Sequence, residues 1–328
     1  MSRRLWVGLG LLAATSVFGA TVKQDESLEA GKQAFEASDY TKAIRLLQST
    51  AAAEPGNAEV HLWLARAYYE LQEHDAAVNS AEKAVKIDPD NSRYHEWLGR
   101  AYGQKAEHSG WFSAMGFAKK TRKEFETAVH LDGKNFAARQ ALVEYDCSAP
   151  GIVGGGEDKA RPEITEIAVL DAAEGHYAAG NCRRQKKDFA AADEEFTQAL
   201  NSHPQSPELI YDIGDYALKR NQAERMLDVA DVGEQMDPAD PRGKFYRAAG
   251  LILKKEHQDE AERQLRDYLK KAPTRSSYPR PAMAHIWLGR LYEEQGKPDK
   301  AAGEYEAALK LDPKNKQAQE QLKRLRKN

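Results

Sequence analysis

Three groupings of residues have the types and spacing that chemistry could use. His95-Glu96-Trp97-Leu98-Gly99 opens like the H-E-x-x-H helix of zinc peptidases, whose two histidines share one helical face. The second histidine is missing and Gly99 stands in its place, so no zinc site is expected. Gly151 and Gly156 have the G-x4-G spacing of a phosphate-cradling loop. Lys and Ser or Thr should follow, but Glu157 and Asp158 do, and two carboxylates repel phosphate. A flexible connection is the better reading, with acidic residues favourable in the first turn of the next helix. Cys147 and Cys182 are the two cysteines. A bridge needs Cα atoms about 4.4–6.8 Å apart, and two separate buried thiols are the expectation. A G-x-S-x-G elbow, a C-x-x-C pair and a calcium loop of alternating acids are all absent from the sequence. These residues predict no enzyme, no metal and no cofactor.

The elements that carry these residues show themselves through spacing. Pro55 and Pro89 are 34 residues apart, as are Pro204 and Pro238; Pro273 and Pro313 continue the series. A small residue recurs 12 positions before most of them: Ala43, Ala77, Ala192, Ala261 and Ala301. Leu98-Gly99 and Tyr102 recur as Leu288-Gly289 and Tyr292. Apolar residues in between follow three- and four-residue spacing, the period of amphipathic helices. Each unit therefore reads as two helices ended by a proline that resets the chain. Such a pair cannot bury its own apolar face, so neighbours must stack.

The residues Leu288, Gly289, Tyr292, Ala301, Tyr305, Ala308 and Pro313 resemble the tetratricopeptide signature. The resemblance implies an all-α, right-handed superhelical solenoid of stacked two-helix units. It divides the chain into units 24–57, 58–91, 92–135, 136–172, 173–206, 207–241, 242–281 and 282–315, with a capping helix at 316–328. It also implies a non-catalytic scaffold that binds a polypeptide segment in its concave groove. His61, His95, His176 and His285 share the fourth position of their units. Metal–nitrogen bonds are about 2.0–2.1 Å and packed helices stand about 8–10 Å apart. These histidines thus form a row rather than a ligand cluster, and half-buried packing accounts for them.

Composition is consistent with this. Charged residues are 30% of the chain and the net charge is only −3, which gives no bulk attraction to nucleic acid. Arg3 and Arg4, an apolar run from Leu5 to Phe18 and the small pair Gly19-Ala20 have the pattern of a secretory signal peptide over 1–20. Export to the periplasm or beyond is expected, with an uncleaved inner-membrane anchor as the alternative. No stable membrane insertion is expected after cleavage.

The repeat is broken twice. The third unit carries extra residues between Tyr102 and Thr121, with a turn at Ser109-Gly110. Trp111, Phe112, Met115 and Phe117 cluster after it, either packed back on the neighbouring hairpin or forming an apolar lip for a partner. The fourth unit carries the loop Ala149–Gly156. Together the two insertions resemble a bacterial exported subfamily of these repeat proteins.

In tetratricopeptide domains the second, fifth, ninth and twelfth positions of the first helix face the groove. Those columns contain Lys32, Arg66 and Arg100 at the ninth position, and Tyr177, Tyr211 and Tyr246 at the fifth. Asn181 stands beside Tyr177. The expectation is a cationic amino-terminal half and a carboxy-terminal half lined by rings with hydroxyl tips, suited to an extended peptide. The clamp for acidic carboxyl-terminal tails needs Lys at the fifth and Asn at the ninth position; only Asn181 fits. A structural subunit of an envelope or secretion assembly, using its convex face or the 103–118 hairpin, is the alternative.

Overall fold

Five helices of this chain are capped two residues after a proline. Asn57, Asn91 and Asn315 follow Pro55, Pro89 and Pro313, and each side chain accepts a backbone N–H of the first helical turn. Ser206 and Asp240 do the same after Pro204 and Pro238. The proline stops one helix and the capping residue opens the next, each cap being worth about 0.5–2 kcal/mol.

The computed structural model describes residues 27–272 and 277–326. The signal-peptide segment 1–20 lies outside the described residues. Among those described there are helices and no strand. The chain divides into two units at Leu131 and Asp132.

The first unit contains α1 (27–36), α2 (Tyr40–Ala53), α3 (Ala58–Glu70), α4 (His74–Ile87), α5 (Ser92–Glu107) and α6 (Trp111–Leu131). The second begins with α7 (Phe136–Ser148), α8 (Glu157–Leu170), α9 (Ala172–Gln185) and α10 (Phe189–Asn201). It continues with α11 (Pro207–Arg220), α12 (Ala223–Met236), α13 (Pro241–Lys254) and α14 (Gln258–Lys271). It ends with α15 (Pro281–Glu294), α16 (Pro298–Leu311) and α17 (Lys316–Leu325). Within each unit the helices pair as hairpins and the hairpins stack, the solenoid arrangement.

Small residues set how closely the two helices of a hairpin approach. Ala43, Ala77, Ala192, Ala261 and Ala301 have no exposed surface. Glycines on the first helices are covered by large rings. A methyl group on Gly99 would come within 2.6 Å of the Phe125 ring, and one on Gly289 within 2.4 Å of Tyr305. These positions are small because an aromatic ring already fills the space.

The expectation of two separate thiols is corrected. Cys147 at the end of α7 and Cys182 near the end of α9 form a disulfide, with Cα atoms 5.4 Å apart. Packed helices stand about 8–10 Å apart between axes, but each Cα lies about 2.3 Å off its own axis. Two Cα atoms that face each other across the gap therefore fall within bridging range.

The glycine-rich loop is also more ordered than a loose connection. Gly151–Val153 make a turn of 3-10 helix, and Val153 is buried. The Tyr145 hydroxyl donates to the Val153 carbonyl at 2.8 Å, and the Gly156 N–H donates to the Asp146 carbonyl at 2.8 Å. A side chain at Gly155 would meet the Ala149 carbonyl oxygen at 2.0 Å, and Gly154 has φ 103°. These glycines allow close backbone approach and a left-handed turn. Their placement explains the motif without phosphate.

Candidate functional site

The basic series in the first unit is a stack of cations and aromatic rings. The Arg66 guanidinium lies 3.9 Å from the Trp63 ring centroid, 4.7 Å from Phe35 and 5.1 Å from Trp97. Lys32 sits 5.5 Å from the Trp63 ring and 3.6 Å from Glu59. Arg100 lies 5.6 Å from Trp97 and is held by Glu96 at 2.9 Å. Burial pulls the Arg66 pKa down, although acidic neighbours led by Glu36 oppose this. Ring faces attract the cations and the carboxylates hold them in place. Lys32, Arg66 and Arg100 thus have internal partners. Sequence reasoning missed Phe35, Trp63, Trp97, Glu59 and Glu96; the i,i+4 pairs Glu59–Trp63 and Glu96–Arg100 were the available signal.

In the second unit the tyrosines require a correction. Tyr211 is 4% exposed and Tyr246 1%, so their hydroxyls are not free tips. Their rings stack with centroids 5.7 Å apart. The Tyr246 hydroxyl donates to Asp215 at 2.6 Å. Tyr177, half-buried, donates to Asp212 at 2.9 Å, and Asn181 lies beside it. Burial raises the pKa of all three hydroxyls, first among several causes. The Tyr177 and Tyr246 rings cross the interface and reach an acid on the neighbouring first helix, whereas Tyr211 packs its ring against Tyr246 and its tip against Gly233.

Over the rings of Tyr211 and Tyr246 lies a cleft of ≈ 340 Å³. Its α11 wall is acidic, with Glu208, Asp212 and Asp215, and α13 supplies Tyr246 and Arg242. The segment 277–280 closes the far side and carries Arg280. Arg242 is held in place. Its guanidinium makes bonds of 2.6–3.1 Å to Asp240 and lies between Tyr211 at 4.1 Å and Tyr278 at 4.5 Å. Burial pushes the Asp215 carboxyl above its usual range; the Tyr246 hydroxyl counteracts this and Asp212 adds to it. Arg184 meets Asp212 at 3.2 Å. The cleft thus has an acidic wall over a preformed aromatic floor, able to accept amide or ammonium N–H groups. Glu208, Asp212, Asp215 and Arg242 were not foreseen. They are ordinary surface residues until α11 and α13 align them.

The recurring histidines pair with carboxylates on the second helix of their own hairpins. His95 meets Glu124 at 2.6 Å, His176 meets Glu195 at 2.8 Å and His285 meets Glu304 at 2.7 Å. His61 contacts the Pro55 carbonyl at 3.4 Å instead. Among the described residues no group of three His, Cys, Asp or Glu could hold a metal ion.

Glu304 carries a pH prediction. Burial pushes its carboxyl up, but hydrogen bonds from His285 and Arg266 outweigh this and hold it below the ordinary value. The pair therefore stabilises the fold above the unfolded carboxyl's pKa of about 4.3, and this is lost as pH falls through the lower folded value. Glu304→Gln is expected to lower the melting temperature at pH 7 and to flatten the decline below about pH 4.5. A melting series against pH checks both; an unchanged acid limb would count against the assignment.

The tip of the α5–α6 hairpin divides the four lip residues. Phe117 packs back, stacked 6.0 Å from Tyr102, and Met115 is half-buried. Trp111 is 69% exposed and Phe112 84%.

Family models for the tetratricopeptide repeat match residues 34–101 and 253–316. Over those two stretches the chain carries tetratricopeptide repeats. No curated protein matches it. Among solved structures, a tetratricopeptide repeat protein of Parabacteroides merdae is 12% identical, with 93% of this chain and 99% of that one covered and a TM-score of 0.41. A thermophilic repeat protein of Thermus thermophilus is 13% identical over 93% of this chain and 100% of its own, at 0.35. The carboxy-terminal part of a repeat-containing protein of Cytophaga hutchinsonii is 17% identical over 90% and 99%, at 0.40. Tetratricopeptide repeats commonly mediate protein–protein interaction. In this chain, no helix among the described residues is long and apolar enough to cross a membrane.

Proposed function

We propose that this chain is a non-catalytic scaffold that grips a polypeptide segment in the cleft over α11 and α13. The observation that carries the reading is the acidic wall of Glu208, Asp212 and Asp215 above a floor made rigid by Tyr246 and the Asp240-bound Arg242. A preformed floor reduces the ordering cost of binding. Carboxylates accept N–H groups from a peptide backbone or a basic side chain, bonds worth about 1.5–3 kcal/mol each. Export fits the basic–apolar–small pattern of residues 1–20 and the Cys147–Cys182 bridge, since such bridges persist in oxidising spaces.

The test is a peptide-display selection on the full chain, followed by Glu208→Gln/Asp212→Asn. Affinity for selected segments is expected to fall about tenfold or more. It should also weaken as pH falls through the raised value of Asp215, because protonation removes an acceptor. Failure to select any segment, or equal binding by the variant, would reject the cleft.

A structural subunit of an envelope or secretion assembly is the second reading. Exposure of Trp111 and Phe112 at a hairpin tip favours it, since contiguous exposed apolar groups mark contacts.

A further inference from the structure

The α5–α6 hairpin is the longest among the described residues, with helices of 16 and 21 residues meeting at a turn over 108–110. Its tip presents Trp111 and Phe112 to solvent. Behind them come small residues: Ser113, Ala114 and Gly116. No acidic residue occurs between Glu107 and Glu124, a stretch that holds Lys119, Lys120, Arg122 and Lys123. Arg122 pairs with Glu126, and Lys120 lies 4.8 Å from the Tyr102 ring. Lys119 and Lys123 are exposed.

Helical geometry arranges these groups in layers. Residues 112, 116, 119 and 123 follow one helical stripe. At about 1.5 Å per residue, Lys119 stands roughly 10 Å behind Phe112 and Lys123 about 16 Å behind it. Aromatic rings sinking about 5–10 Å into a bilayer interface would bring the lysines level with the headgroups.

We propose that this tip is a shallow, reversible anchor for an anionic phospholipid surface. The same two rings would serve the assembly reading if a protein covered them, but with little apolar surface around them they offer less than the broad core of a protein interface. The collar behind them is mainly lysine, a residue depleted from such interfaces and favoured beside anionic headgroups.

The experiment uses the full chain with Ser113→Cys bearing an environment-sensitive fluorophore. The bridged pair leaves the new thiol as the single labelling site. Vesicles of phosphatidylglycerol with phosphatidylcholine are compared with phosphatidylcholine alone. A blue shift on the anionic vesicles is expected, reversed by salt. Trp111→Ser/Phe112→Ser should lower vesicle partitioning about tenfold or more, and Lys119→Gln/Lys123→Gln by a similar factor. Circular dichroism should be unchanged, because these side chains lie outside the core. A label that stays water-exposed on both vesicles overturns the proposal. So does partitioning that is indifferent to the tip variants, which would place binding at the apolar amino-terminal segment. A label silent to vesicles but shielded by a captured protein would overturn it in favour of a protein contact.

Discussion

Tyr246→Ala is expected to destabilise the second unit by about 3–5 kcal/mol, the range for removing a buried aromatic ring. Tyr246 packs against Tyr211 and Phe245, with centroids at 5.7 and 5.3 Å. It also covers Gly214, where an added methyl would fall 2.7 Å from the ring. The truncation therefore leaves a cavity that its neighbours can only partly fill. It also strips Asp215 of the hydroxyl that donates to it at 2.6 Å. Tyr246→Phe separates the two effects. It keeps the volume, loses the bond and should cost about 1–3 kcal/mol. Urea unfolding followed by circular dichroism reads both variants, with an unchanged slope showing that the exposed surface is the same. An exposed groove tyrosine would change stability by about 0.5 kcal/mol or less. A Tyr246→Ala value that small would return the residue to a purely binding role.

Loss of the Cys147–Cys182 bridge has the next largest expected effect. The sequence separation is 35 residues, for which loop-closure entropy gives about 3–4 kcal/mol. The bridge joins α7 to α9, and the loop and α8 lie between its two ends. Its removal should therefore loosen α7, the 149–156 loop and α8 before the stacked core around Phe196, Phe245 and Tyr268. Cys147→Ser/Cys182→Ser is expected to melt several degrees lower than the oxidised chain and to ignore reductant. The oxidised chain should fall to the variant's value when reductant is added. Tryptic cleavage after Lys159 should become faster in the variant, since local opening precedes cleavage. A melting curve unaffected by reductant would show that the bridge contributes nothing to the fold.

The amino-acid sequence by itself determined the all-helical repeat. A proline, a capping Asn, Asp or Ser two residues later and a buried alanine 12 residues before are one-dimensional signals. Each acts on its own turn of chain or on the adjoining helix, so spacing alone reveals them. The tertiary structure decided which faces of the first helices stay open. Tyr211 and Tyr246 occupy a groove column in the sequence, yet they turn into the interface, Tyr246 onto Asp215 and Tyr211 against Gly233 and the Tyr246 ring. Arg66 is likewise taken up by Phe35, Trp63 and Trp97, residues from three successive first helices. The cleft wall of Glu208, Asp212 and Asp215 and the Cys147–Cys182 bridge depend on angles and distances between helices. Those are set by packing of whole side-chain layers, with ångström differences deciding each contact, and no local pattern along the chain encodes them.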